Sequence, residues 1–269
     1  MTSSTATPTP VVLVAPAMGA PSAYYRPVVE AFVSHGWGAR ALPAPGVDRD
    51  TEPPRRGHDF GYDHLVGQMD RVVREVRESE PRRPVVLLGH SLGGHVAMAW
   101  AQRGGEPDGL ALVGSPVPWF GYYRLGLIGL LGGVVPVVTQ VMGHWPQGLF
   151  AGAQPASLMR QWAGFVRTGR LPLAPRARRD GSLDVPTLVV QIEDDALAPD
   201  RGTAAMGRYV RPDLVTTWRH TRAGSPSPAT VDHLRWVKRP QPVVDRVVTW
   251  WTDTRHLRPS TPPPPTQGR

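Results

Sequence analysis

Residues Gly89 to Gly93 read Gly-His-Ser-Leu-Gly, a serine with glycine two positions before it and two positions after it. A serine hydroxyl acts as a nucleophile when it is exposed and a neighbouring base takes its proton. The glycines speak to the first condition, because a serine at the apex of a tight strand-to-helix turn leaves no room for side chains at those two positions. The N–H of Leu92, the next residue, then faces the point where a carbonyl oxygen gathers negative charge, which is half of an oxyanion hole. A base and its orienting acid should follow in the order acid, then His. Glu193, Asp194 and Asp195 come after the apolar run Thr187 to Ile192, and Asp232-His233-Leu234 precedes the last helical stretch. His233 is the candidate base, favoured by position over His220 and His256. Asp195, four residues before Pro199, is the candidate acid that would accept a hydrogen bond from the imidazole, with Asp194 and Glu193 as alternatives.

Those residues need rigid elements to bring them together. Pro84 to Leu88 (PVVLL) is uncharged and β-branched, as a strand buried on both faces of a parallel sheet should be, and Leu92 to Gln102 after it has helical spacing and closes at Gly104 and Gly105. Val11 to Val14, Gly38 to Leu42, Gly109 to Val113, Thr187 to Ile192 and Leu214 to Arg219 read as further strands. Leu65 to Ser79 and Pro240 to Thr254 read as helices. Strands alternating with helices predict an α/β fold, and carboxylates at a strand's C-terminal end lie on the edge where such sheets place their sites.

With the elbow GHSLGGH at Gly89 to His95, PAMGAPSAYYRP at Pro16 to Pro27 and DHLRWVKRPQPVVDRVVTWW at Asp232 to Trp251, the chain resembles the α/β-hydrolase superfamily from about Val11 to Trp251. It is similar to a bacterial branch of hydrolases related to serine aminopeptidases and monoacylglycerol lipases. The resemblance implies an eight-stranded, mostly parallel sheet with helices on both faces, a cap inserted after Gly109 to Val113, and hydrolysis through an acyl-enzyme. Relatives usually carry His-Gly before the second oxyanion donor, whereas here Ala15-Pro16-Ala17-Met18-Gly19 follows the first strand. Proline has no N–H to give, so Ala17 or Met18 would be that donor. The Asp-x-Arg-Gly common after the next strand is replaced by Pro43-Ala44-Pro45-Gly46.

The 269 residues, 41% of them hydrophobic, suit one α/β core of 11–114 and 185–256 with a cap at 115–184. Residues 1–10 and 257–269 are rich in Ser, Thr and Pro and are expected to be disordered. The chain has no cysteine, which excludes disulfides, thiolate catalysis and cysteine-ligated metal sites. No cofactor and no metal is expected. Met1 to Pro10 lacks a basic leader pattern and the default location is cytoplasmic. Net charge is +8, but Lys238 is the sole lysine and the arginines are scattered, densest at Arg176, Arg178 and Arg179, so nucleic acid is not an expected partner.

Within 115–184 the aromatics Trp119, Phe120, Tyr123, Trp145 and Trp162 are expected to line a substrate pocket beneath a pair of cap helices. The charge-free run Leu125 to Met142 holds several glycines and Pro136 and is read as one of those helices rather than a membrane span, with peripheral lipid contact left open. An apolar cap favours a small hydrophobic acyl substrate, with ester, thioester and amide undivided. A catalytically silent relative that binds a hydrophobic ligand or partner, or an acyltransferase on the same triad, is the alternative. His58, Asp59, Asp63 and His64 match no metal spacing and are read as loop and capping residues, and His95 as a residue of helix packing or of the pocket's edge.

Overall fold

Strand β1 (Val11–Ala15) shows how the sheet is built, because its residues alternate between two apolar layers. Val11, Leu13 and Ala15 join one core cluster, and Val12 and Val14 join the other. A strand buried on both faces has no polar side, so its sequence is an unbroken apolar run. The same holds for β4 (Gly109–Val113) and for most of β3 (Val85–His90) and β7 (Thr187–Ile192), where the polar residues are His90, Thr187 and the half-buried Gln191. The computed structural model describes residues 8–123, 126–174 and 182–257. Arg176, Arg178, Arg179, most of the first ten residues and all of the Pro-rich tail beyond Leu257 lie outside them.

With β2 (Gly38–Ala41) and β8 (Val215–His220), these strands form a sheet in the order β2-β1-β3-β4-β7-β8, with every neighbouring pair parallel. Among the described residues the sheet has six strands, where the resemblance implies eight. Its two edges are the mixed sequences GARA and VTTWRH, and a charged, half-exposed strand is a natural place for a sheet to stop. Helices α1 (Arg26–Ser34) and α7 (Gln241–Thr254) cover one face, while α2 (Tyr62–Ser79) and α3 (Leu92–Gln102) cover the other. Short α6 (Asp200–Met206) follows β7. All residues of α3 are buried, which explains a helix of almost nothing but Gly, Ala and apolar side chains.

Between β4 and β7 the chain forms α4 (Leu127–Met142), the two-residue strands β5 (His144–Trp145) and β6 (Gln154–Pro155), paired antiparallel, and α5 (Ala156–Thr168). Helices α4 and α5 pack against each other through Gly132 and Val166. Pro136 inside α4 cannot donate to the carbonyl of Gly132, four residues earlier. The guanidinium of Arg167 on α5 donates to that carbonyl instead. The left-handed Gly143 then closes the helix, its N–H bonded to the Thr139 carbonyl. No helix among the described residues is long and apolar enough to cross a membrane.

Candidate active site

Ser91 is the single residue between β3 and α3 and has φ 52° and ψ −114°, a backbone conformation that side chains rarely adopt. Its N–H donates to the Val113 carbonyl at 3.0 Å, which ties the apex to the end of β4. The flanking glycines are there because the turn folds onto itself. A Cβ on Gly89 would strike the backbone of Gly93 and Gly94, and one on Gly93 would enter the Ala15 carbonyl of β1. Gly94 faces Ser115 in the same way. Leu92 opens α3, so its N–H has no acceptor within its own helix.

His233 and Asp195 meet at this edge. His233 Nδ1 lies 2.6 Å from Asp195 Oδ2, and both residues are buried. The other carboxylate oxygen of Asp195 accepts the N–H groups of Leu197 at 2.9 Å and Ala198 at 3.0 Å, so the acid is held from three sides. The alternatives turn elsewhere: Asp194 Oδ2 pairs with the Arg222 guanidinium at 2.6 Å, and Glu193 Oε2 accepts the Arg222 N–H at 2.7 Å. Gly114, just past β4, packs against the pair, and a Cβ there would stand 3.4 Å from His233 Nδ1 and 3.5 Å from Asp195 Oδ2. His90, adjacent to Ser91, has its ring centroid 5.2 Å from that of His233. Ser91 thus follows the C-terminal end of β3, and the Asp195–His233 pair lies beside Gly114 at the C-terminal end of the neighbouring β4. His220 stacks on Trp218 in the edge strand, and His256 sits in the exposed turn after α7.

The loop after β1 carries a bond that the sequence does not reveal. The Ala17 N–H donates to Tyr25 Oη at 2.8 Å, and that hydroxyl is 2.7 Å from His90 Nδ1. His90 Nε2 lies 2.8 Å from the His233 carbonyl. A carbonyl only accepts, so His90 carries its proton on Nε2 and Tyr25 donates to Nδ1. The Trp236 indole N–H, 3.3 Å from the same Nε2, then meets a donor, and Trp236 contributes by edge-on ring packing. Burial, then the neighbouring His233, hold His90 well below the ordinary imidazole range, and burial raises the Tyr25 phenol. Both stay neutral, as the chain of bonds requires. Of the two amides proposed as second oxyanion donors, Ala17 is already bonded.

A cleft partly open to solvent adjoins Leu92, Ala17 and Met18. Its walls are mostly aliphatic, among them Leu42, Leu65, Met69, Val96 and Leu158, with Phe60 as an aromatic and Gln68 and Gln154 as polar side chains. None of the five aromatics expected to line the pocket is part of this wall. Trp145 is buried with its indole N–H on the Phe150 carbonyl, Trp162 stacks on Phe150, and Trp119 and Phe120 pack on one another at the surface. Tyr123 stands nearest the acid: its hydroxyl donates to the Leu197 carbonyl at 3.0 Å, and burial, reinforced by Asp195, raises its pKa. Holding the segment between β4 and β7 together takes up its large rings, and Phe60, from outside that segment, is the aromatic of the cleft wall. His95 lies between the Tyr62 hydroxyl at 3.2 Å and the Pro116 carbonyl at 2.7 Å, a packing role. Asp59 caps α5 by accepting the Ser157 N–H at 2.8 Å.

The sequence profile of the serine aminopeptidase S33 hydrolases matches residues 6–163, more than half of the chain. The chain belongs to the serine aminopeptidase S33 family. Solved structures share the fold of this S33 member. A monoacylglycerol lipase from Paleococcus ferrophilus superposes with a TM-score of 0.62 at 15% identity, over 90% of this chain and 96% of that one. An esterase from Exiguobacterium antarcticum gives 0.60 at 15%, over 92% and 93%. A bromoperoxidase from Bacillus anthracis gives 0.61 at 15%, over 91% and 92%. At such identities the likeness establishes the fold. No curated protein matches the sequence. The S33 chain is an α/β-hydrolase enzyme.

Proposed function

We propose that this hydrolase cleaves carboxylic esters, or closely related acyl bonds, of small hydrophobic substrates through a Ser91, His233, Asp195 triad. The observation that carries the reading is the 2.6 Å bond between His233 and Asp195 beside a serine in strained elbow geometry. His233 takes the Ser91 proton as the hydroxyl attacks the carbonyl carbon. Asp195 fixes the tautomer, with the proton on Nδ1, and stabilises the imidazolium. The imidazolium then protonates the leaving alcohol, and water, deprotonated by the same ring, releases the acid and regenerates the serine.

Leu92 supplies one oxyanion N–H. Because Ala17 is bonded to Tyr25, we assign the second to Met18. Each donor contributes about 3 kcal/mol of transition-state stabilisation. The aliphatic cleft beside these amides supports an apolar acyl group as its occupant, and residues 115–184 serve as the cap, with Gln154 and Leu158 closing one side. A polar sugar or phosphate would find no charged ligand on this wall.

The test is release of p-nitrophenol from short- and medium-chain esters by wild type and Ser91→Ala, together with labelling by a fluorophosphonate. Ser91-dependent release and labelling are expected. If wild type shows neither, the chain is a silent binding protein of the same fold, and alcoholysis products exceeding the acid would make it an acyltransferase.

A further inference from the structure

Helix α4 is apolar on both sides. Ile128, Gly132, Val135 and Thr139 face inward and are buried. On the opposite face Leu127, Leu130, Val134, Val137 and Val141 are 62%, 60%, 37%, 64% and 69% exposed. Their spacing of three, four, three and four residues makes one continuous stripe, about 21 Å long at a helix's rise per residue. Phe120, half exposed, packs beside Gly129 and widens it. A helix without a polar face is ordinarily buried, and an exposed apolar band of this extent on a soluble fold marks a contact surface.

Charge identifies what covers it. From Gly109 to Arg179 the sequence holds seven arginines and not one Asp or Glu, and Arg160, Arg167 and Arg170 of them are among the described residues. Arg167 lies along the flank of α4 and Arg56 reaches its C-terminal end, each donating to a carbonyl of the helix. Two of the acids of the neighbouring loop, Glu52 and Asp59, are paired with Arg55 and Arg160, and Asp48 accepts the N–H groups of Ser22 and Ala44. An uncharged apolar stripe set in an acid-free, arginine-bearing segment is complementary to lipid chains beneath anionic head groups. A second copy is the poorer occupant, since a two-fold contact through this face would set the same positive segment against itself. At 16 residues α4 is too short to span a bilayer and fits lying in the interface.

We propose that the outer face of α4 docks the protein on the surface of a membrane containing anionic phospholipid. The docking stands on this surface alone and is independent of which acyl bond the site cleaves. Co-sedimentation of the full chain with vesicles tests it, using phosphatidylcholine mixed with phosphatidylglycerol and phosphatidylcholine alone, for wild type, Val137→Asp and Leu130→Ser/Val137→Ser. Wild type should pellet with the mixed vesicles, and less with phosphatidylcholine alone. Both variants should bind at least roughly tenfold more weakly while keeping the wild-type circular dichroism, melting temperature and release of soluble p-nitrophenyl esters. Absence of wild-type binding, or binding that the folded variants retain, overturns the proposal. So does a wild-type dimer in light scattering that Val137→Asp splits without any vesicle binding, which would assign the face to a second copy.

Discussion

Asp194 and Asp195 are neighbours of identical chemistry whose side chains point in opposite directions, one to Arg222 in solvent and one to His233 in the interior. Asp195→Asn should lower kcat by about 10³- to 10⁴-fold, because an amide there no longer enforces the reactive tautomer. Asp194→Asn should remain within about twofold of wild type, as an exposed ion pair contributes little. Steady-state kinetics on one ester would show both, and equal losses in the two variants would contradict the assignment of the acid. Tyr25 gives a second contrast. Tyr25→Phe leaves the buried Ala17 N–H and His90 Nδ1 without their partner, at a cost of about 1–3 kcal/mol in stability by urea denaturation. It also loosens the loop carrying Met18, so kcat should fall more than KM rises. Loss confined to KM would mean that the loop binds substrate without holding the oxyanion donor.

The elbow is an element that tolerates no added carbon. Gly93→Ala drives a methyl into the Ala15 carbonyl of a central strand, so the variant should be insoluble or several kcal/mol less stable. Gly133→Ala in α4 has open space at its Cβ and should be neutral or slightly stabilising in thermal melts. The proline in α4 is accommodated by a bond from α5, so Arg167→Ala should leave the Gly132 carbonyl unpaired and hasten hydrogen exchange in α4 and α5 while leaving β3 and β4 protected. Uniform protection across α4 in that variant would show that water replaces the arginine at no cost. The element boundaries were largely legible in advance: β4, β7 and α3 fall where composition and spacing predict, because doubly buried strands and a fully buried helix have the least freedom of sequence. The edge strands β2 and β8 are legible chiefly by their place between helices.

For the whole molecule, His95 and His90 contribute to the response to acid. Burial lowers His95 from the 6.5 of a free imidazole to about 4, and His90 moves in the same direction. In the unfolded chain these rings take up protons below about pH 6.5, while in the fold His95 resists until about pH 4. Across that window the unfolded state binds more protons, so stability is full above it and falls as pH drops. His95 alone accounts for up to about 3 kcal/mol of that fall. Urea midpoints at about pH 7 and pH 4.5 should differ more for wild type than for His95→Gln, and parallel pH slopes would show that His95 is already protonated in the fold.

What composition and spacing determined was the order of strands and helices, the strained serine with its glycines, and the candidate acid and base. Each follows from local rules, such as which side chains a buried strand admits and which residues a tight turn permits. Three matters waited for the tertiary structure: that Asp195 rather than Asp194 reaches His233, that Ala17 is bonded to Tyr25, and that the cleft is walled by mostly aliphatic residues from five separate segments while the five cap aromatics pack elsewhere. Contacts between residues 8, 38 or 143 positions apart depend on how layers stack, and no local pattern carries that information.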